Sequence, residues 1–165
     1  MTIRFSDIMT VSLRPPTRPD YDVIASWIPN ASACLRWAGP LVPFPFSASK
    51  LPELLAVADS ESYCLGEANN NPQGFGQIWL RDGDAVRLMR IIVSPDTRGQ
   101  GLGRELCRQL ISRAVEAEGG KSINLAVYRD NTAALRLYQS LGFLPVDARC
   151  TAELLFMTLV PDKVI

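Results

Sequence analysis

The sequence predicts an α/β (α+β) fold, a mixed and mostly antiparallel sheet of six to seven strands flanked by helices. Three observations predict it. Short apolar runs at Tyr63–Glu67, Gly76–Leu80 and Ala85–Val93 follow one another with only turn residues between them, as an antiparallel meander requires. After Val93 the pattern switches to alternation of helix and strand, each bounded by capping or glycine residues. No linker, repeat or change of composition divides the 165 residues, so a single domain over 1–165 is expected.

In chain order, Thr10–Leu13 reads as a short strand stopped by Pro15-Pro16. Pro19-Asp20 then opens a helix with Tyr21, Ile24, Ala25 and Ile28 at helical spacing. Residues 37–46, WAGPLVPFPF, carry three prolines and three aromatics and read as a loop with a large apolar payload. Ser47 or Ser49 caps a helix expected to run through Ala58. Asn69-Asn70-Asn71-Pro72 and Asp82-Gly83-Asp84 are the turns of the meander, whose last run ends almost continuously apolar and reads as a central strand. Leu102, Leu106 and Leu110 then mark a helix that Gly119-Gly120 stops, and Ile123–Tyr128 a strand. Asn131 is placed to cap a helix with Ala134, Leu135, Tyr138 and Leu141 on one face, ended by Gly142. Phe143–Val146 and Thr151–Val160 read as closing strands.

Composition removes many functions. Lys plus Arg equals Asp plus Glu, 17 each, so no global field favours nucleic acid or an anionic membrane, and neither partner is expected; an anion has to be held locally. With no histidine, His-dependent triads, bases and metal sites are excluded. Cys34, Cys64, Cys107 and Cys150 form no CxxC pair, so no metal is expected and reduced thiols are. The first residues lack a secretory pattern and no long apolar run follows, so a cytoplasmic location is expected.

The local anion site is legible at SPDTRGQGLGR, residues 94–104, where three glycines at alternate positions separate a strand from a helix. A helix N-terminus presents unpaired N–H groups and partial positive charge, and glycine lets a phosphate approach the backbone. The run is no Walker A loop, and the third glycine of a dinucleotide-binding GxGxxG falls on Arg104. Arg98-Gly99-Gln100-Gly101-Leu102-Gly103 does resemble the Arg/Gln-x-x-Gly-x-Gly/Ala pyrophosphate loop of the Gcn5-related N-acetyltransferases. Arg90-Ile91-Ile92-Val93-Ser94-Pro95 before it resembles that family's fourth strand and Val-x-Pro turn. Asn131 to Tyr138, followed by Leu141-Gly142-Phe143, resembles its second block. The likeness in motifs runs from about Ala85 to Phe143; earlier residues share the order of elements alone.

The resemblance implies a sheet whose central strands splay apart and an acetyl-CoA-dependent N-acetyltransferase acting on a small-molecule amine or a protein amino group. It implies that the main chain of Ile91, Ile92 and Val93 pairs with the cofactor's pantetheine. The pyrophosphate would rest on residues Arg98, Gly99, Gln100, Gly101, Leu102, Gly103 and Arg104, with contacts from Asn131 and Ala134. An amide near Val93 would meet the oxyanion, and Tyr138 would protonate the departing thiolate. Tyr138 also reads as a packed helix-face residue, and Asn131 as an N-cap. Trp37, Phe44, Phe46 and Tyr63 are the aromatics expected to wall the acceptor, unless they plug the core. Some relatives carry a glutamate on the fourth strand, but Leu88–Val93 has no acid. Glu67, Asp82, Asp84 and Glu153 read as surface charges, so no general base is assigned. Relatives are often dimers, which makes a homodimer the implied oligomer. A non-catalytic acyl-CoA sensor of the same fold is the alternative, and an unrelated nucleotide binder a further one.

Overall fold

The computed structural model describes residues 11–119 and 121–161. Thr10, expected in the first strand, lies outside them. β1 (Ser12–Arg14) leads to α1 (Arg18–Ser26) and α2 (Ala31–Ala38). A 3-10 turn (Ala48–Lys50) runs into a short α3 (Leu51–Leu54). The meander is β2 (Ser60–Gly66), β3 (Gly74–Asp82) and β4 (Ala85–Val93). Then come α4 (Leu102–Ala117), β5 (Ile123–Tyr128), α5 (Thr132–Ser140), β6 (Leu144–Pro145) and β7 (Leu154–Leu159).

The strands form one sheet in the order β1-β2-β3-β4-β5-β7-β6, antiparallel throughout except between β4 and β5. This is the mixed, mostly antiparallel sheet expected from the sequence. Apolar residues on its two faces form separate cores. Leu102, Leu106 and Leu110 of α4 pack with Val86 and Leu88 of β4 on one face. Ile24 of α1, Cys34 of α2 and Leu51 pack with Phe75 of β3 on the other.

Two expectations are corrected. Residues 37 and 38 belong to a helix rather than a loop: Asn30 Oδ1 accepts from the Ala33 N–H at 2.8 Å to start α2, and Gly39, at φ 80°, ends it. The helix expected through Ala58 stops after Leu54. Leu51 and Leu55 dock it within the core, and Asp59, in the left-handed region at φ 62°, turns the chain into β2.

Two irregularities in β4 prepare the site. First, β4 and β5 pair only at Val86↔Ile123 and Arg87↔Asn124, whereas β5 stays paired with β7 from Ile123 to Tyr128. Beyond Arg87 the two central strands therefore diverge. Second, the register against β3 jumps from Gln77↔Met89 to Phe75↔Ile92, so Arg90 and Ile91 together oppose Gly76. This is a bulge, with Arg90 at φ 52°. A Cβ at Gly76 would meet Leu110 Cδ1 at 2.7 Å, so a larger residue facing the bulge would force Leu110 to shift in the core.

The bulge reverses the direction of the backbone amides. The Val86 N–H donates to the Ser122 carbonyl, on the β5 side, and the Ser94 N–H donates to the Gln73 carbonyl, on the β3 side, each at 2.9 Å. In an uninterrupted strand, residues an even number apart direct their amides to the same side. The extra residue at Arg90 shifts the alternation, so the amides of Ile91 and Val93 point into the gap beside β5.

Candidate active site

Where β4 and β5 part, a cleft of about 340 Å³ opens between the sheet and α2. β4 from Arg87 to Ile91 forms one wall and β5 from Leu125 to Tyr128 the other, with Trp37, Asn131 and Tyr138 closing it.

The bulge is held from several directions. Arg90 Nη1 donates to the Leu55 carbonyl and to Gln77 Oε1, both at 3.0 Å, and Nε donates to the Ala38 carbonyl at 3.4 Å. Trp37 Nε1 donates to the Arg90 carbonyl at 2.8 Å, and its ring meets Phe75 edge-on with centroids 6.1 Å apart. The strained residue persists because α2, α3 and β3 all bind it. Trp37→Phe removes the bond to the bulge. It is expected to cost about 1 kcal/mol, a fall of about 2–4 °C in melting temperature, which calorimetry would measure.

At the C-terminal end of β4 the chain reaches the glycine loop. Gly99 and Gly101 have φ of 78° and 87°, conformations that L side chains rarely adopt. Gly101 is the N-cap of α4 and offers no side chain to its first amides, so the N–H groups of the opening turn remain available to a ligand. A Cβ at Gly103 would touch Leu137 Cδ2 at 3.5 Å and Val93 Cγ2 at 3.8 Å, ordinary contacts that explain why alanine satisfies the motif there. Leu102 is buried in the core, so only its backbone faces the loop. Arg98 Nε donates to the Val93 carbonyl at 3.3 Å, and Arg104 Nη2 to Ser140 Oγ at 2.5 Å, keeping one cation on each flank.

Tyr138, on α5, is 8% exposed and lines the cleft. Its ring packs edge-on against Phe143, centroids 6.0 Å apart, so both a core contact and a cleft position hold for the same side chain. Its hydroxyl has no hydrogen-bond partner among the described residues, and burial pushes the phenol's pKa above its ordinary value. Asn131 Oδ1 accepts from the Ala134 N–H at 3.3 Å; the residue caps α5 and also borders the cleft.

Ile91 and Val93 pack their side chains with the core on the α4 face, and Ile92 packs with the other. The acceptor aromatics divide. Trp37 lines the cleft. Phe44 lies at the surface edge-on to Phe46, which packs on the second core; neither is among the cleft-lining residues. Tyr63 lies in the core on the α4 face beneath Arg113, whose Cζ is 5.4 Å from the ring centroid, and its hydroxyl bonds Glu61. It shares its face with Leu65 because the two stand two residues apart on β2, which takes it away from the cleft.

Sequence reasoning missed Arg36, Arg87 and Tyr128, all of which line the cleft. Arg36 pairs with Asp130 at 2.5 Å and lies over the Tyr128 ring. Arg87 and Arg90 are the readable signs, two charges within an otherwise apolar β4.

A split parallel pair, a bulge that directs amides into the split, and a glycine-capped helix at its end define the site. Residues 31–143 match the acetyltransferase (GNAT) family, and the chain belongs to it. It is 38% identical over 92 residues to mycothiol acetyltransferase of Saccharopolyspora erythraea, covering 54% of this chain and 26% of that protein. It is 45% identical over 60 residues to the ribosomal protein bS18-alanine N-acetyltransferase of Escherichia coli K12, covering 36% and 40%. The chain thus aligns with less than half of the length of these relatives. In structure it superimposes on spermidine N-acetyltransferase from Vibrio cholerae, crystallised with CoA and spermine, with a TM-score of 0.74 and 20% identity over 94% of this chain and 98% of that one. At that identity the likeness establishes the fold. No helix among the described residues is long and apolar enough to cross a membrane.

Proposed function

We propose that the protein is an acetyl-CoA-dependent N-acetyltransferase that moves an acetyl group to an amine. The observation that carries this reading is the unpaired β5-facing edge of β4, whose re-aimed Ile91 and Val93 amides lead to the glycine-capped start of α4. The geometry fits an extended amide chain ending in a pyrophosphate: strand-like donors along one stretch, anion-seeking amides at its end.

When bound, acetyl-CoA supplies an activated acyl carbon. The chain's own residues do the rest. The Ile91 and Val93 amides orient the cofactor and offer a donor to the thioester oxygen, a role set by the bulge that Arg90 and Trp37 hold. The amides of the opening turn of α4, with Arg98 and Arg104 beside them, carry the negative charge of the pyrophosphate. Tyr138 keeps a proton at Oη for the leaving sulfur. Among the described residues no carboxylate lines the cleft, and solvent is assigned the amine's proton.

The test is the melting temperature with acetyl-CoA, CoA, ATP and NAD. A ligand at about 100 times its dissociation constant adds roughly 2.7 kcal/mol of stability. A rise with acetyl-CoA and CoA alone is expected; no rise with either, or a rise with ATP or NAD instead, overturns the reading.

A further inference from the structure

The cleft has a charge pattern that the transfer chemistry does not require. Among the described residues three arginines, Arg36, Arg87 and Arg90, line it along its length, and no aspartate or glutamate does. A polyamine acceptor would need carboxylates in their place. Two of the arginines have acidic partners outside the lining: Asp130 for Arg36 and Asp82 for Arg87, at 2.5 and 3.5 Å. Among the described residues Arg90 bonds only carbonyl and amide oxygens, with no acidic partner.

Arg87 is held in place yet incompletely bonded. Thr158 Oγ1 donates to Asn124 Oδ1 at 2.9 Å, Asn124 Nδ2 donates to Asp82 Oδ2 at 3.3 Å, and that oxygen faces Arg87 Nε. That buried Nε, 3.5 Å from the carboxylate, makes no hydrogen bond among the described residues. The guanidinium lies over Phe156, Cζ 4.9 Å from the ring centroid, and Arg149 covers the same ring at 3.5 Å. Here a chain of four side chains from β3, β4, β5 and β7 turns Nε toward Asp82 and fixes the guanidinium at the wall of the cleft, and Arg149 close by adds to its field.

We propose that the acceptor is an amine that also carries a carboxylate, and that Arg87 binds that carboxylate; this rests on the N-acetyltransferase reading. Arg87 stands four residues before Ile91, about 13 Å along the strand, and its side chain can lean back over several ångströms of that distance. The carboxylate is thus separated from the reacting nitrogen by a spacer rather than by a single carbon. The charge of Arg90, which has no acidic partner among the described residues, favours the neutral, nucleophilic form of the amine.

The experiment compares acceptors in matched pairs: a series of α- and ω-amino acids of increasing length, the carboxamide of each, and spermidine, assayed by CoA thiol release with wild type and Arg87→Gln. For the preferred length, wild type is expected to favour the acid over its carboxamide by about 100-fold in kcat/KM, a difference of about 2.7 kcal/mol. Arg87→Gln is expected to erase that preference through KM while the acetyl-CoA-induced rise in melting temperature is unchanged, showing an intact fold and cofactor site. Equal use of acid and carboxamide by wild type, preference for spermidine, or an acid preference that survives in Arg87→Gln overturns the proposal and leaves the acetyltransferase reading standing. Acetyl-CoA stabilisation with no turnover of any of these acids overturns it too. Absence of both acetyl-CoA stabilisation and turnover overturns the parent reading, and this inference with it.

Discussion

Gly101→Asp is expected to remove the stabilisation given by acetyl-CoA, with a loss of affinity of about 100-fold or more, while the protein still folds. The two halves of that result have separate causes. Gly101 occupies the left-handed region at φ 87°, where a side chain costs about 1–2 kcal/mol, less for aspartate than for most residues. Aspartate is also a favoured N-cap, and its carboxylate would bond the amides of Gly103 and Arg104 and regain part of that cost. Those bonds occupy the donors assigned to the pyrophosphate and place a negative charge where the ligand brings its own. A loss of about 100-fold corresponds to about 2.7 kcal/mol, well within what displaced charge-assisted bonds and like-charge repulsion supply. Gly101→Asn, which caps without charge, should fall between the two. Wild-type affinity in Gly101→Asp, measured by calorimetric titration, would show that the anion does not bind at this helix.

Tyr138→Phe is expected to lower kcat by about 100-fold with the KM for acetyl-CoA changed by no more than about twofold. The substitution deletes only the hydroxyl. The ring keeps its contact with Phe143, and the hydroxyl has no partner among the described residues to lose, so stability should change by less than about 1 kcal/mol. Burial raises the phenol's pKa, so as pH rises Tyr138 holds its proton beyond the ordinary phenol value of about 10. Its donor role should therefore survive across the neutral and mildly alkaline range, and no alkaline limb from this group is expected below about pH 10. Unchanged turnover in the variant would remove Tyr138 from the chemistry and reduce it to a packing residue.

The parts of the fold that could be read in advance are those in which local residues dictate local structure. The glycine loop, the helix it feeds and the Asn131 cap all follow from conformational demands within a few residues of chain. The bulge was hidden because Leu88–Val93 reads as an unbroken strand; it arises from Gly76 across the ladder and from bonds that Trp37, Leu55 and Gln77 bring from elsewhere. α2 was missed because the prolines after Gly39 dominated a window that also contained a sound helix with an asparagine cap. Tyr63 could have been placed correctly by its two-residue spacing from Leu65. The Arg87–Asp82–Asn124–Thr158 chain was beyond reach, since it joins four strands that meet only in the folded sheet.

Amine-dependent release of CoA, with the acetylated product identified by mass spectrometry, tests the central claim most directly. The account predicts release that requires both acetyl-CoA and an amine, yields one acetylated nitrogen per thiol, and falls in both Gly101→Asp and Tyr138→Phe. Acetyl-CoA that binds and stabilises the protein yet is never transferred to amino acids, polyamines or peptide N-termini would contradict it, and would mark the chain as an acyl-CoA binder without catalysis.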